Sequence, residues 1–209
     1  MQQLLDTEGW NVLVSDDFNR DELGKRWQPT IGGWSIEDGA IKGVLRRDQT
    51  VPYELNIADI GLQQQKLPAT VEIRYESWSP DELGSEAKLL NSDGTRGLIA
   101  ALYGAPHPAI KSKGAVVFLQ EMAGRFVIAA VNERFDFKSK DRHKVRIVRQ
   151  PEGITIFADG KQVISASMNN RSGTQEPYLH LVGTFGKEGA VVFFDNLEIR
   201  VPPTNDSQK

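Results

Sequence analysis

The sequence predicts an all-β fold, a two-sheet antiparallel sandwich, and three observations carry that expectation. Short runs of alternating apolar and polar residues recur along the chain, divided by turn residues, with no Pro/Ser-rich linker and no fixed-period repeat. Asp38-Gly39 and Asp159-Gly160 each join two such runs, where a two-residue turn needs positive φ. A length of 209 residues allows one core large enough to stand without disulfides, and there is no cysteine.

Taken in order, candidate strands cover 11–15, then 34–38 and 40–46, which the Asp38-Gly39 turn makes a hairpin. Runs at 52–58 and 69–79 follow. Segment 80–90 opens on Pro80, a favoured first helical position, and is expected to hold a turn or two of helix. Strands are then expected at 96–103, 115–122 and 125–132, the last two joined at Ala123-Gly124. Runs 143–150 and 153–158 turn at Pro151-Glu152-Gly153, and Asp159-Gly160 leads into 161–167. Runs 178–185 and 190–200 complete the set. Residues 1–201 read as a single domain, and 202–209 as a polar C-terminal tail.

Composition excludes several functions. Against 28 acidic residues stand 25 basic ones, a net charge of −3, so nothing favours nucleic acid or an anionic membrane surface. No apolar run approaches the roughly 18 residues of a membrane span, so no membrane insertion is expected. Without cysteine there is no thiolate metal site and no Cys nucleophile. The N-terminus lacks a basic and an apolar leader region, so the expected secreted or periplasmic location presumes a signal already removed.

Three blocks carry a family resemblance. The first is Asp16-Asp17-Phe18-Asn19-Arg20, Leu23-Gly24, Trp27 and Gly33-Trp34 through Asp38-Gly39-Ala40-Ile41. The second is Arg142-His143 through Arg149, followed by Gly153 through Asp159-Gly160 to Val163. The third is Val191-Val192-Phe193-Phe194-Asp195-Asn196-Leu197-Glu198-Ile199. Together, in this order, they resemble the concanavalin A-like lectin/glucanase superfamily, in the style of bacterial keto-disaccharide hydrolase-related and laminin-G-like domains. The resemblance implies a jelly roll that binds oligo- or polysaccharide, acting on extracellular or periplasmic glycans. Two alternatives stand beside it: a glycoside-processing hydrolase and a laminin-G-like adhesion or protein-interaction module. The sequence leaves the oligomeric state open.

Alternation nominates the residues of a groove. In 69–79, Val71, Ile73 and Tyr75 are expected in the core, leaving Glu72, Arg74, Glu76 and Trp78 on the other face. In 143–150, Arg146 is outward. In 178–185, Leu179, Leu181 and Phe185 are expected inward, with Tyr178, His180, Val182 and Thr184 outward. Glu72, Arg74, Glu76, Trp78, Arg146 and His180 are therefore the ligand-binding candidates, since sugars need polar partners for hydroxyls and an aromatic ring for their C–H faces. An ordinary solvated sheet face is the alternative for the same pattern.

Whether the chain is an enzyme stays open. The family-sixteen E-x-D-x-x-E motif is not present, because Arg74 stands between Glu72 and Glu76 and a cation there favours two anions over an acid and a base. Glu72, Glu76 and Glu121 are the catalytic candidates for the hydrolase alternative. The resemblance also implies a structural calcium held by the Asp17 and Gly39 carbonyls and the Asp195 carboxylate; no organic cofactor is expected.

Overall fold

The computed structural model describes residues 6–49, 55–92, 96–103, 115–122, 125–135, 138–168 and 176–203, the side chains of residues 121 and 122 excepted. Among them all regular structure is strand. The strands are β1 (Asn11–Asp16), β2 (Trp27–Ile31), β3 (Gly33–Glu37), β4 (Ala40–Val44), β5 (Arg46–Arg47), β6 (Asn56–Leu62), β7 (Val71–Trp78) and β8 (Gly84–Leu90). They continue as β9 (Gly97–Tyr103), β10 (Ala115–Met122), β11 (Arg125–Asn132), β12 (His143–Gln150), β13 (Gly153–Ala158), β14 (Lys161–Ser167), β15 (Tyr178–Thr184) and β16 (Val191–Val201).

Two antiparallel sheets form. The first runs β14-β13-β12-β7-β16-β4-β3, with β1 also on β16; the second runs β11-β10-β9-β8-β15-β6-β2, with β5 on β6. One continuous core joins them, with Ile41, Ile73, Tyr75, Phe194 and Ile199 of the first sheet against Ile60, Leu89, Leu102, Phe118 and Leu181 of the second. Burying each such side chain contributes about 2 kcal/mol, so the core dictates which residues of every strand must face outward.

Both expected turns have the geometry their residues suit. Asp38 and Gly39 lie at φ 52° and 72°, Asp159 and Gly160 at 49° and 76°. The Ala123-Gly124 turn lies outside the described residues. Trp34 reaches across β4 to stack on Phe194, at 6.4 Å between ring centroids. That path exists because residue 43 is glycine: a Cβ there would stand 2.7 Å from the indole.

The Asp16-to-Trp27 block is a structural knot. Arg20 donates to both Asp16 oxygens, at 2.5 and 2.9 Å, while Trp27 Nε1 donates at 2.8 Å and the Phe18 amide at 3.0 Å. Arg20 also ties down the Glu22 and Leu23 carbonyls. Phe18, fully buried, packs on Trp27. Burial by itself would raise the Asp16 carboxyl, but the Arg20, Trp27 and Phe18 hydrogen bonds outweigh it and hold it below the ordinary value.

Three expectations are corrected. Segment 84–90 is strand β8 in the middle of the second sheet, and the chain before it makes only turns. Propensity at Ala87, Lys88, Leu89 and Leu90 loses to pairing with both β15 and β9. Strand β2 was not expected at all, since Pro29 interrupts its pattern; it lies at the sheet edge, where proline is tolerated. Phe185 is not in the shared core. Its φ of 60° ends β15 and turns the ring outward onto Tyr103, edge-on at 5.2 Å.

Asp16→Ala should cost about 2–3 kcal/mol by leaving Trp27 Nε1 and the Phe18 amide without their acceptor. Urea denaturation is the check, with Arg20→Ala expected to cost less, because its guanidinium is partly solvated.

Candidate functional site

The structure divides the nominated groove residues between two faces on opposite sides of the molecule. Glu72, Arg74, Glu76 and Trp78 on β7 and Arg146 on β12 belong to the first sheet; His180 on β15 belongs to the second. Strand alternation assigns a residue to the outward face without saying of which sheet, so the two sets could not be separated by periodicity. Glu121 falls in β10 of the second sheet, with its side chain outside the described ones.

On the first sheet the outward groups close on one another. Arg74 and Arg146 are direct cross-strand neighbours, a like-charged pairing that Glu72 neutralises. The fully buried Glu72 accepts from Thr7 Oγ1 at 2.6 Å and from Arg146 Nε, and faces Arg74 Nε at 2.9 Å. Burial pushes its carboxyl up; the Thr7, Arg146 and Arg74 hydrogen bonds together outweigh that and hold it below the ordinary value. Such a group is a fixed anion, unsuited to donating a proton as a general acid.

Glu76 is tied to Arg142 at 2.7 Å. Trp78 is not an open platform, contrary to the sequence-based expectation. Phe193 of β16 stacks on it, 5.1 Å away and 7° from parallel, while the Arg142 guanidinium lies 4.3 Å from its ring centroid on the β12 side. A groove of about 450 Å³ remains on this face beside Thr7, Arg74, Arg146 and Phe157, but Arg146 is stacked on Phe157 and bonded to Glu72 and Thr7.

The calcium candidates lie near one another in register. Phe194 pairs with Ile41 beside the Asp38-Gly39 turn, and Leu197 pairs with Asp16. Both Asp195 oxygens, however, already accept hydrogen bonds: Oδ2 from Arg142 and Oδ1 from the Asn196 amide at 2.7 Å. Asn196, at φ 49°, forms the bulge that makes this possible. A calcium ion would have to displace the guanidinium, so the side chains as placed do not fit the ion.

His143 is structural: its ring nitrogens lie 2.8 Å from Asp159 Oδ2 and 2.8 Å from the Lys138 carbonyl.

The second sheet's outward face is organised differently. Across β8, β15 and β6 two adjacent rows form, Glu86–Val182–Asp59 and Lys88–His180–Gly61. Lys88 Nζ stands 3.5 Å from Glu86 Oε2 and 3.9 Å from Asp59 Oδ2. Asp59 Oδ1 takes His180 Nδ1 at 2.7 Å, and Tyr103 donates its hydroxyl to Glu86 at 2.9 Å. Burial and the Glu86 charge push the Tyr103 phenol far above its ordinary range, so it keeps its proton and serves as a donor. Two glycines seat this row. A Cβ at Gly84 would stand 2.6 Å from the Tyr103 ring, and one at Gly61 would stand 3.1 Å from the His180 imidazole.

With Nδ1 facing Asp59, His180 lines a groove of about 540 Å³. Gln28, Gln63, Gln64, Asn91, Ser92 and Tyr178 line that groove with it. Sequence reasoning missed Asp59, Glu86, Lys88 and Tyr103. The one available signal was the alternation Glu86-Ala87-Lys88-Leu89, hidden by the helical reading of 80–90.

The fold has solved counterparts. Similar structures are the carbohydrate-binding module CBM66 from Bacillus subtilis (14% identity, TM-score 0.64, covering 84% of this chain and 96% of that one) and the β-agarase B of Zobellia galactanivorans (15% identity, TM-score 0.66, covering 91% and 93%). A third is a β-agarase A in complex with oligoagarose (13% identity, TM-score 0.70, covering 93% and 94%). No protein-family model matches the sequence, and no curated protein does. These neighbours are concanavalin A-like jelly rolls, and the chain described here has that fold.

Glu72 and Asp16 share a sign of pH dependence. Both folded carboxyls sit below their unfolded values, so their stabilisation is present above about pH 4 and fades as pH falls through the folded pKa values. Urea midpoints should therefore drop from pH 7 to pH 3. Glu72→Gln should lower stability by about 3 kcal/mol at pH 7, by removing the anion between two arginines, and should flatten that acid-side drop.

Proposed function

We propose that the protein binds carbohydrate on the outward face of its second sheet, around His180 and Tyr178. The observation that carries this reading is the pairing of His180 with Asp59, which holds the imidazole in place at the wall of an amide-lined groove. A hydroxyl group both donates and accepts; glutamine and asparagine amides do the same, and Tyr178 adds an aromatic surface for a sugar's C–H face. The fold supports the reading as well: one solved neighbour is a carbohydrate-binding module and another is in complex with oligoagarose.

A glycoside-processing hydrolase is the competing reading. Glu72 and Glu76 are engaged by arginines, and on the second sheet Lys88 fills the space between Glu86 and Asp59 where a scissile bond would have to lie. Binding therefore explains the geometry better than turnover. An extracellular or periplasmic setting belongs to the same proposal and rests on the cysteine-free composition. A structural calcium at Asp17, Gly39 and Asp195 is not part of it, since Arg142 holds the carboxylate: the melting temperature should be the same in calcium and in chelator, and a rise in calcium that Asp195→Ala abolishes would overturn this.

Calorimetry against a panel of oligosaccharides separates the two faces. His180→Ala and Tyr178→Ala should each weaken binding about tenfold, or about 1.4 kcal/mol, with stability little changed in Tyr178→Ala and lowered by about 1–2 kcal/mol in His180→Ala, which takes a partner from the nearly buried Asp59. Trp78→Ala should leave affinity intact while lowering stability by about 1–2 kcal/mol, because its stacking partners are protein groups. Loss of binding in Trp78→Ala alone would move the site to the first sheet.

A further inference from the structure

We infer that this groove selects a neutral glycan and rejects sulfated or uronate-bearing ones, an inference that rests on the carbohydrate reading above. Charge decides it. Recognition of a sugar carboxylate or sulfate needs a guanidinium or ammonium facing the ligand, and bidentate arginine is the usual device. Among the described residues lining the groove there is no arginine and no lysine.

Two of the cations nearby are already engaged. Lys88 lies between Glu86 and Asp59 and is largely buried, and Lys66 bonds Glu176 at 3.0 Å. Beside the groove, in the next row of the same outward face, two carboxylates face one ammonium, an excess of one acidic group. At short range and partly shielded from water, that charge repels an anionic sugar.

The remaining lining asks for hydroxyls. Gln28 and Gln63 bond each other, which orients their amides, and Gln64 is exposed at the rim. Asp59 takes the Nδ1 side of His180, which leaves Nε2 to pair with a ligand hydroxyl. Each of these groups pairs with a hydroxyl, and the amides carry no charge to offer an acid.

The test is binding of matched oligosaccharides, each neutral backbone beside its sulfated and uronate-bearing counterparts, at about 20 and 300 mM salt by calorimetry. Neutral members should bind at least tenfold tighter than charged ones, with little change of affinity on adding salt. Gln64→Arg, which places a guanidinium at the rim, should raise affinity for the sulfated member several-fold, and added salt should erase that gain. Tighter, salt-sensitive binding of charged members by the unaltered protein would overturn this inference and leave carbohydrate binding standing. Binding of no member, neutral or charged, would overturn both.

Discussion

Lys88 stands between Glu86 and Asp59, and the outward face of the second sheet depends on that ammonium. Val182 alone separates the two carboxylates along their row, and both are nearly buried. Two anions so placed would repel strongly in a medium poorer than water. The lysine comes from the adjacent row, two residues along β8 from Glu86, so one strand supplies both the charge and its partner. With Asp59 fixed in this way, its second oxygen is available to hold His180, and the flat space over Gly61 receives the ring. Fold, buried charge and half-buried imidazole are thus successive consequences of one register.

The first sheet shows the same residue types put to a different use. Glu72, two arginines and Thr7 form a closed unit under the chain's N-terminal segment, and Arg142, Trp78, Phe193 and Lys42 continue as a cross-strand ladder of cations and rings. Thr7 and each arginine named there already bond at least one protein acceptor. Ligand binding needs groups whose partners are missing until the ligand arrives, and the amides and imidazole of the second sheet meet that condition better. Two outward faces of similar composition therefore differ in what each residue's neighbours already satisfy.

Much of the fold was legible in the chain. Asp38-Gly39 and Asp159-Gly160 state their turns outright, because only a few residues adopt positive φ readily. The Asp16 block was legible as a signature, though its physical role, one carboxylate serving Arg20, Trp27 and a backbone amide, shows only in three dimensions. The site was less legible. His180 was nominated from its strand, but its partners Asp59 and Lys88 come from segments 121 and 92 positions earlier, and no local pattern links them. Trp78 was misjudged for a related reason: alternation places a ring outward, yet whether its faces are free depends on Phe193 and Arg142, each from another strand. Strand β8 was lost because Pro80 and good helix formers dominate a short window, while pairing on both sides decides the outcome.

A crystal structure of the protein soaked with a neutral oligosaccharide that it binds tests the central claim most directly. The account predicts sugar density across β15 and β6, with a hydroxyl oxygen within hydrogen-bond reach of His180 Nε2 and a sugar ring beside Tyr178. Density on the first sheet, over Trp78 or between Arg74 and Arg146, with the second sheet's groove holding only solvent, would contradict it.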